Sequence, residues 1–219
     1  MRLIKIAPGE HYHVFNRGVN KQVVFHDTGD YFRFLFLILY FQSPMIFQQL
    51  GRFVKEFVQS SALDRGQEEE IVKKRVVELV TFCIMPNHFH LIVREKEEGG
   101  IATYMQRILT SYSKYYNTKY EKSGHVFQGP YKAVHITNDV QLLHTSAYIH
   151  RNPREMTMWF RKEDKYLWSS YQDFIGENRW EKLLVTDVVM GEFKDKKHYH
   201  KFVETSPAKM LEEISKAEL

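Results

Sequence analysis

His88 and His90 are separated by one residue in the run Pro86-Asn87-His88-Phe89-His90-Leu91-Ile92-Val93. In an extended strand, residues i and i+2 project from the same face roughly 6.5–7 Å apart, so two imidazoles at this spacing can converge on one ion. Phe89, Leu91 and Val93 fall on the opposite face, the alternation of a strand with one side in the core. The pair reads either as metal ligands or as two surface or hydrogen-bonded histidines. Two other His-x-His triplets show that spacing alone does not decide. His198 and His200 sit among Lys194, Lys196, Lys197 and Lys201 and read as solvated, while His11 and His13 fall on a first strand and could flank a site. What sets His88 and His90 apart is an expected hairpin anchored on both sides, which supplies the preorganisation a metal site needs.

A second group lies on one helix. A 100° wheel over residues 139–152 gathers Gln141, His144, Thr145, Tyr148, Arg151 and Asn152 within an arc of about 120°, with Tyr148 at its centre. Val140, Leu142, Leu143, Ala147 and Ile149 remain to pack on a sheet. A tyrosine centred on a polar stripe is either an ordinary exposed or hydrogen-bonded side chain or a functional one. One turn later, Asn152 presents a carbonyl oxygen on the same side and could complete a metal site. Tyr104 and Tyr112 follow the apolar stripe of another helix and read as core. Tyr115 or Tyr116 could stack on bases, with Arg107, Lys114 and Lys119 near for phosphates.

The elements needed to hold these groups alternate. Residues 10–16 read as a strand, and Asp27 or Thr28 opens a helix to Phe41. Residues 76–85 and 88–94 form the hairpin around Pro86-Asn87, residues 101–120 a long helix, residues 131–136 a fourth strand, and Asn138 or Asp139 caps the tyrosine helix. That helix is expected to stop near Asn152, because the residue before Pro153 is biased away from helical geometry. The fold class is α+β: a ferredoxin-like β-α-β-β-α-β core with an antiparallel sheet and helices on one face, followed by the tyrosine-bearing helix. Residues 43–75 read as an inserted helical excursion. From residue 177 onward the sequence is a polar, partly helical tail with no strong signal of its own.

The composition narrows the class of protein. A chain of 219 residues buries an adequate core without disulfides, and Cys83 is the single cysteine, so a reducing, cytoplasmic setting is expected. The longest apolar run, residues 34–41, has eight residues, against roughly 20 for a membrane span, and the N-terminus lacks signal-peptide character. A net charge of +4 permits an acidic partner without requiring one.

Four blocks together resemble one family. Tyr12-His13-Val14-Phe15-Asn16-Arg17-Gly18, the histidine run 85–93, Gly124-His125-Val126-Phe127-Gln128-Gly129 and Tyr148-Ile149-His150-Arg151-Asn152-Pro153 resemble signature blocks of the IS200-like (Y1) transposases. The likeness is closest to their REP-associated tyrosine transposase branch. It spans roughly residues 9–175, including Trp168-Ser169-Ser170-Tyr171, which suggests a catalytic domain over 1–175 and an extension over 176–219.

The resemblance implies a His-hydrophobic-His (HUH) endonuclease that cuts and rejoins single-stranded DNA at hairpin-bearing ends through a 5′-phosphotyrosine. Tyr148 would be the nucleophile, and His88, His90 and Asn152 the ligands of Mg²⁺ or Mn²⁺. A homodimer is also implied, with cis or trans assembly of the site left open. Asn152 fits the REP-associated branch better than the insertion-sequence branch, where that position is usually Gln. Arg17, Lys21, Lys132 and Arg151 are candidate phosphate contacts by charge and nearness to the blocks. The alternative function is a non-catalytic protein of this fold that binds hairpin or single-stranded nucleic acid.

Overall fold

The computed structural model describes residues 6–60 and 65–207. Four strands, β1 (His11–Arg17), β2 (Val77–Met85), β3 (His88–Glu95) and β4 (Lys132–Ile136), form one sheet in the order β2-β3-β1-β4, with every pair antiparallel. Helix α1 (Thr28–Tyr40) joins β1 to β2 and α4 (Gly100–Lys119) joins β3 to β4, so the βαββαβ order and the strand arrangement are those of a ferredoxin-like sheet. The fold expectation is met.

One face of the sheet is apolar because alternate residues of β1 and β3 point toward α1 and α4. Phe89 meets Phe34 at 4.9 Å between ring centroids, and Phe34 meets Tyr112 at 5.2 Å. Residues 34–40 of α1 are all buried. The helix starts where Asp27 accepts from the Asp30 backbone N–H at 3.1 Å, which satisfies a donor that the first turn otherwise leaves unpaired.

The excursion within residues 43–75 is helical as expected, with α2 (Leu50–Ser60) and α3 (Arg65–Lys74). Phe57 is buried against Phe36 and Tyr40, so α2 extends the core beneath α1.

The tyrosine helix α5 (Asp139–Arg151) covers the other face of the sheet. Asn138 caps it by accepting from the Gln141 N–H at 2.9 Å, while Gln141 reaches back to the Thr137 N–H at 2.8 Å. Behind α5 lie α6 (Tyr171–Ile175), α7 (Asp187–Met190) and α8 (Lys196–Thr205). The tail is therefore packed where it is described: Tyr199 and Val203 of α8 are buried.

Three local expectations change. Helix α5 stops at Arg151 as expected, yet Asn152 keeps helical angles (φ −51°, ψ −40°) and begins a 3-10 turn over Asn152–Glu155. The missing N–H of Pro153, rather than an extended Asn152, accompanies the change of helix type. Val140 is 66% exposed instead of packed on the sheet. His200 is held by the Tyr171 hydroxyl at 2.7 Å on an ordered helix, so it is not a loosely solvated side chain.

Candidate active site

Strand β3 delivers His88 and His90 to the face that α5 covers, in register with Arg17 and Phe15 of β1. Their rings lie 5.1 Å apart between centroids and are nearly perpendicular, at 88°. The hairpin is gripped from outside: Pro86 O accepts from the Val24 and Phe25 N–H groups at 2.9 and 3.0 Å, and Asn87 O accepts from the Gly18 N–H at 2.8 Å. Gly18 is required there, because a Cβ would lie 2.8 Å from Val24 Cγ1 and closer still to the Gln22 carbonyl.

From α5, Tyr148 reaches the same place in the same chain. Its ring centroid is 5.5 Å from that of His90 and 5.9 Å from that of His13, edge-on to both. Tyr148, His88 and His90 line a cleft of about 320 Å³ with Phe15, Asn16, Arg17, Gln128, Lys132 and Glu155. Arg17 and Lys132 are exposed cations at its edge and Glu155 is an exposed acid.

Hydrogen bonds fix how His88 is presented. Asn87 Nδ2 donates to Lys21 O at 3.1 Å, which turns Asn87 Oδ1 toward His88 Nδ1 at 2.6 Å. Asn152 Nδ2 donates to Tyr148 O at 3.0 Å, which turns Asn152 Oδ1 toward His88 Nε2 at 3.3 Å. His88 thus lies between two amide oxygens. Its Nε2 faces Asn152 Oδ1, and an imidazole nitrogen and an amide oxygen are both groups that could hold a cation. His90, its ring 5.1 Å from that of His88, could add a second imidazole, and two imidazoles with an amide oxygen suit Mn²⁺ or Mg²⁺ by ligand type. Among the described residues no cluster of three or more His, Cys, Asp or Glu is placed to hold a metal, so any ion here relies on the amide.

His13 belongs to the same group and flanks it from the first strand, as its position there allowed. Its Nε2 lies 2.8 Å from His90 Nδ1, and the rings stack at 5.0 Å. Burial pushes its pKa down to about 3, so it is neutral at pH 7. Gln128 and Glu155 were missed as site residues. Gln128 sits in the Gly124–Gly129 block, where its backbone N–H is tied to Arg17 O at 2.7 Å, and Glu155 ends the 3-10 turn after α5.

Other candidates are placed elsewhere. Lys21 approaches through its backbone carbonyl, and its side chain is not among the described cleft-lining groups. Arg151 turns away to donate to Ser206 O and lines a separate pocket with Arg154, Arg161 and Glu163. Four of the five long-helix residues suggested for nucleic acid are in structural use: Tyr116 is buried, Tyr115 donates to Asp30 at 3.0 Å, Lys119 pairs with Asp27 and Asp30 at 2.7 Å each, and Arg107 donates to the carbonyls of Ser43 and Met45, while Lys114 is exposed.

A second network backs the tyrosine helix. His150 is fully buried; its Nε2 lies 2.8 Å from Ser170 Oγ and its Nδ1 2.7 Å from the Tyr199 hydroxyl. Tyr199 also bonds Ser146 on α5 at 3.1 Å, so α8 is pinned to α5 at two points. Desolvation lowers the pKa of His150 to about 3.

The site thus joins a His-x-His strand of a ferredoxin-like sheet to a helix-borne tyrosine. Residues 55–152 match the family model described as Transposase IS200 like, a stretch that includes the histidine hairpin and Tyr148 and ends on Asn152. Among solved structures the chain is similar to the REP associates tyrosine transposase bound to a REP hairpin, with a TM-score of 0.52 and 14% identity. The similarity covers 86% of this chain and 92% of that one, and at this identity it is a likeness of fold. No curated protein matches the chain. The resemblance to the IS200-like transposases is borne out by the family match, and the fold agrees with it. Among the described residues no helix is long and apolar enough to cross a membrane.

Proposed function

We propose that the protein is a metal-dependent transposase or endonuclease that cleaves and rejoins single-stranded DNA at hairpin-bearing ends. Tyr148 is the nucleophile. The observation that carries this reading is the approach of Tyr148 to His90 within one chain, in a cleft edged by Arg17 and Lys132.

The Tyr148 phenol oxygen attacks the scissile phosphorus, and the bond from phosphorus to the 3′ oxygen breaks. The products are a 5′-phosphotyrosine and a free 3′-OH, the proton lost by the phenol balancing the one gained by the leaving oxygen. Attack by another 3′-OH on the stored ester reverses these bond changes and reseals the strand without ATP. A phenol with an ordinary pKa near 10 is a weak nucleophile at pH 7. His88, His90 and Asn152 would hold Mg²⁺ or Mn²⁺, which would supply charge stabilisation at the scissile phosphate. Arg17 and Lys132 fit the role of phosphate contacts, orienting the strand before attack. His88, His90 and Tyr148 line the cleft from one chain, which supports cis assembly of the site, in a monomer or in each copy of the homodimer that the resemblance implies.

The test is a denaturing gel of the protein incubated with a hairpin-bearing single strand and Mg²⁺ or Mn²⁺. A covalent adduct is expected with the native protein and absent from Tyr148→Phe. An adduct retained by that variant overturns the nucleophile, and one retained after chelation overturns the metal. Tight hairpin binding with no adduct under any condition favours the non-catalytic reading.

A further inference from the structure

Among the described residues that line the cleft, Phe15 is the one wholly apolar side chain, and it is only half-buried. We propose that Phe15 is the stacking platform for an unpaired nucleobase next to the scissile phosphate, with the Gln128 amide at the base edge and Arg17 and Lys132 at neighbouring phosphates. The inference rests on the reading that the cleft takes single-stranded DNA.

The placement follows from strand register. Phe15 of β1 pairs with His90 of β3 on one side and with Lys132 of β4 on the other, so the three side chains form a row across one face of the sheet. Neighbouring strands lie about 4.8 Å apart, which puts Phe15 one strand away from the histidine and one strand away from the cation. Arg17, two residues along β1, projects from the same face and pairs with His88. A DNA strand whose scissile phosphate lies at His88 and His90 therefore meets an aromatic ring and two cations on the adjoining strands.

Core packing does not account for a phenylalanine here, because the apolar face of the sheet is the opposite one, where Phe89 meets Phe34. On the cleft face Phe15 rests on the rings of His13 and His90, with centroids 4.9 and 5.6 Å away, which fixes its orientation and leaves the rest of its surface to the cleft. An aromatic surface open to water is favourably covered by a flat partner, and every nucleobase has such a face. Gln128 adds a polar edge. Its backbone N–H is tied to Arg17 O at 2.7 Å, Asn16 Nδ2 holds the next carbonyl, Gly129 O, at 3.2 Å, and the preceding Phe127 is buried against Phe89 and Tyr112. On this fixed support the Gln128 side-chain amide is exposed and has no hydrogen-bond partner among the described residues. Two donors and a neutral acceptor match the edge of a base better than the charge of a phosphate.

The test is an abasic scan. The whole protein is titrated, without metal, into a fluorescent DNA hairpin bearing a single-stranded extension, one nucleotide of the extension being made abasic at a time, and the cut position is mapped separately with Mn²⁺ present. With the native protein, one abasic position beside the cut is expected to weaken binding about 5–150-fold, the loss of one stacked base. Phe15→Leu, which keeps apolar volume without a π-face, should bind the intact strand more weakly by that factor and lose the penalty at that position. Phe15→Tyr should keep both the affinity and the penalty. Gln128→Ala should keep the stacking penalty and reduce the preference among the four bases there to within about twofold. An unchanged base preference in Gln128→Ala overturns the edge contact. A native scan in which no position costs more than about twofold overturns the platform, and so does an equal penalty in Phe15→Leu and the native protein. The native scan decides the matter even where Phe15→Leu does not fold. Either result leaves the cleavage reading intact where the covalent adduct still forms, whereas failure of the native protein to bind the hairpin-bearing strand or form the adduct overturns both.

Discussion

His88 Nε2 and Asn152 Oδ1 stand 3.3 Å apart, each held there by a hydrogen bond made at the other end of its own side chain. The Asn87 oxygen orients the imidazole and the Tyr148 carbonyl orients the amide, so the pair is set by the backbone geometry of a hairpin and a helix end.

Replacing Asn152 by Leu should lower Mn²⁺ affinity by at least about tenfold, because an oxygen donor is lost and the turn after α5 loses its bond to Tyr148 O. Asn152→Asp keeps an oxygen and adds a charge, so it should bind Mn²⁺ at least as tightly as the native protein. Calorimetry at fixed pH checks both, and equal affinities for Leu and Asn at this position would remove Asn152 from the donor set.

The two basic candidates near the blocks should separate cleanly. Lys132 lines the cleft, whereas Arg151 donates to Ser206 O. Lys132→Ala should reduce the slope of log affinity against log salt for a hairpin-bearing strand by about 0.7–0.9, the loss of one phosphate contact. Arg151→Ala should leave that slope unchanged and lower the melting temperature instead. Binding isotherms at several salt concentrations and calorimetric melting decide the matter.

Tyr199→Phe should destabilise the fold by about 1–3 kcal/mol, since it leaves buried His150 Nδ1 and Ser146 without their hydroxyl partner. Denaturant unfolding monitored by tryptophan fluorescence measures this. A change below about 0.5 kcal/mol would mean that α8 does not brace the tyrosine helix through this contact.

Acid should weaken the fold through His150. Its pKa falls from 6.5 to about 3 on burial, so between these values the unfolded chain binds more protons than the folded one. The contribution is fully present above about pH 6.5 and is lost as the pH drops toward 3, by about 1.4 kcal/mol per pH unit. The groups facing His150 are Ser170, Tyr199 and the rings of Tyr171 and Phe174, none of them a carboxylate. His150→Gln should start less stable at pH 7 yet show a flatter dependence of melting temperature on pH between 6.5 and 4.

Much of the scaffold was legible because its signals are local. The alternation of His88-Phe89-His90-Leu91 announces a strand with one polar face, and Asn138-Asp139 announces a helix start, with Asn138 the residue that caps it. The family match then covers the same hairpin and helix. Other features depend on partners far away in sequence. His11 and His13 share the spacing of His88 and His90, and only strand pairing reveals that His13 meets His90. Tyr115 and Tyr116 looked free to stack on bases because their helix wheel does not show that α1 brings Asp30 and the 23–26 segment against them. The polar stripe of α5 suggested one open face, but the sheet meets Tyr148 on one side and α8 meets Ser146 and His150 on another.

The single-chain origin of the cleft has a consequence for stoichiometry. Each copy contributes one Tyr148 and one set of His88, His90 and Asn152, so under the proposed chemistry a copy holds one broken strand end at a time. Joining two ends cut by different copies then demands an encounter between two loaded proteins, and the yield of such joints should rise with protein concentration while single cuts per copy do not.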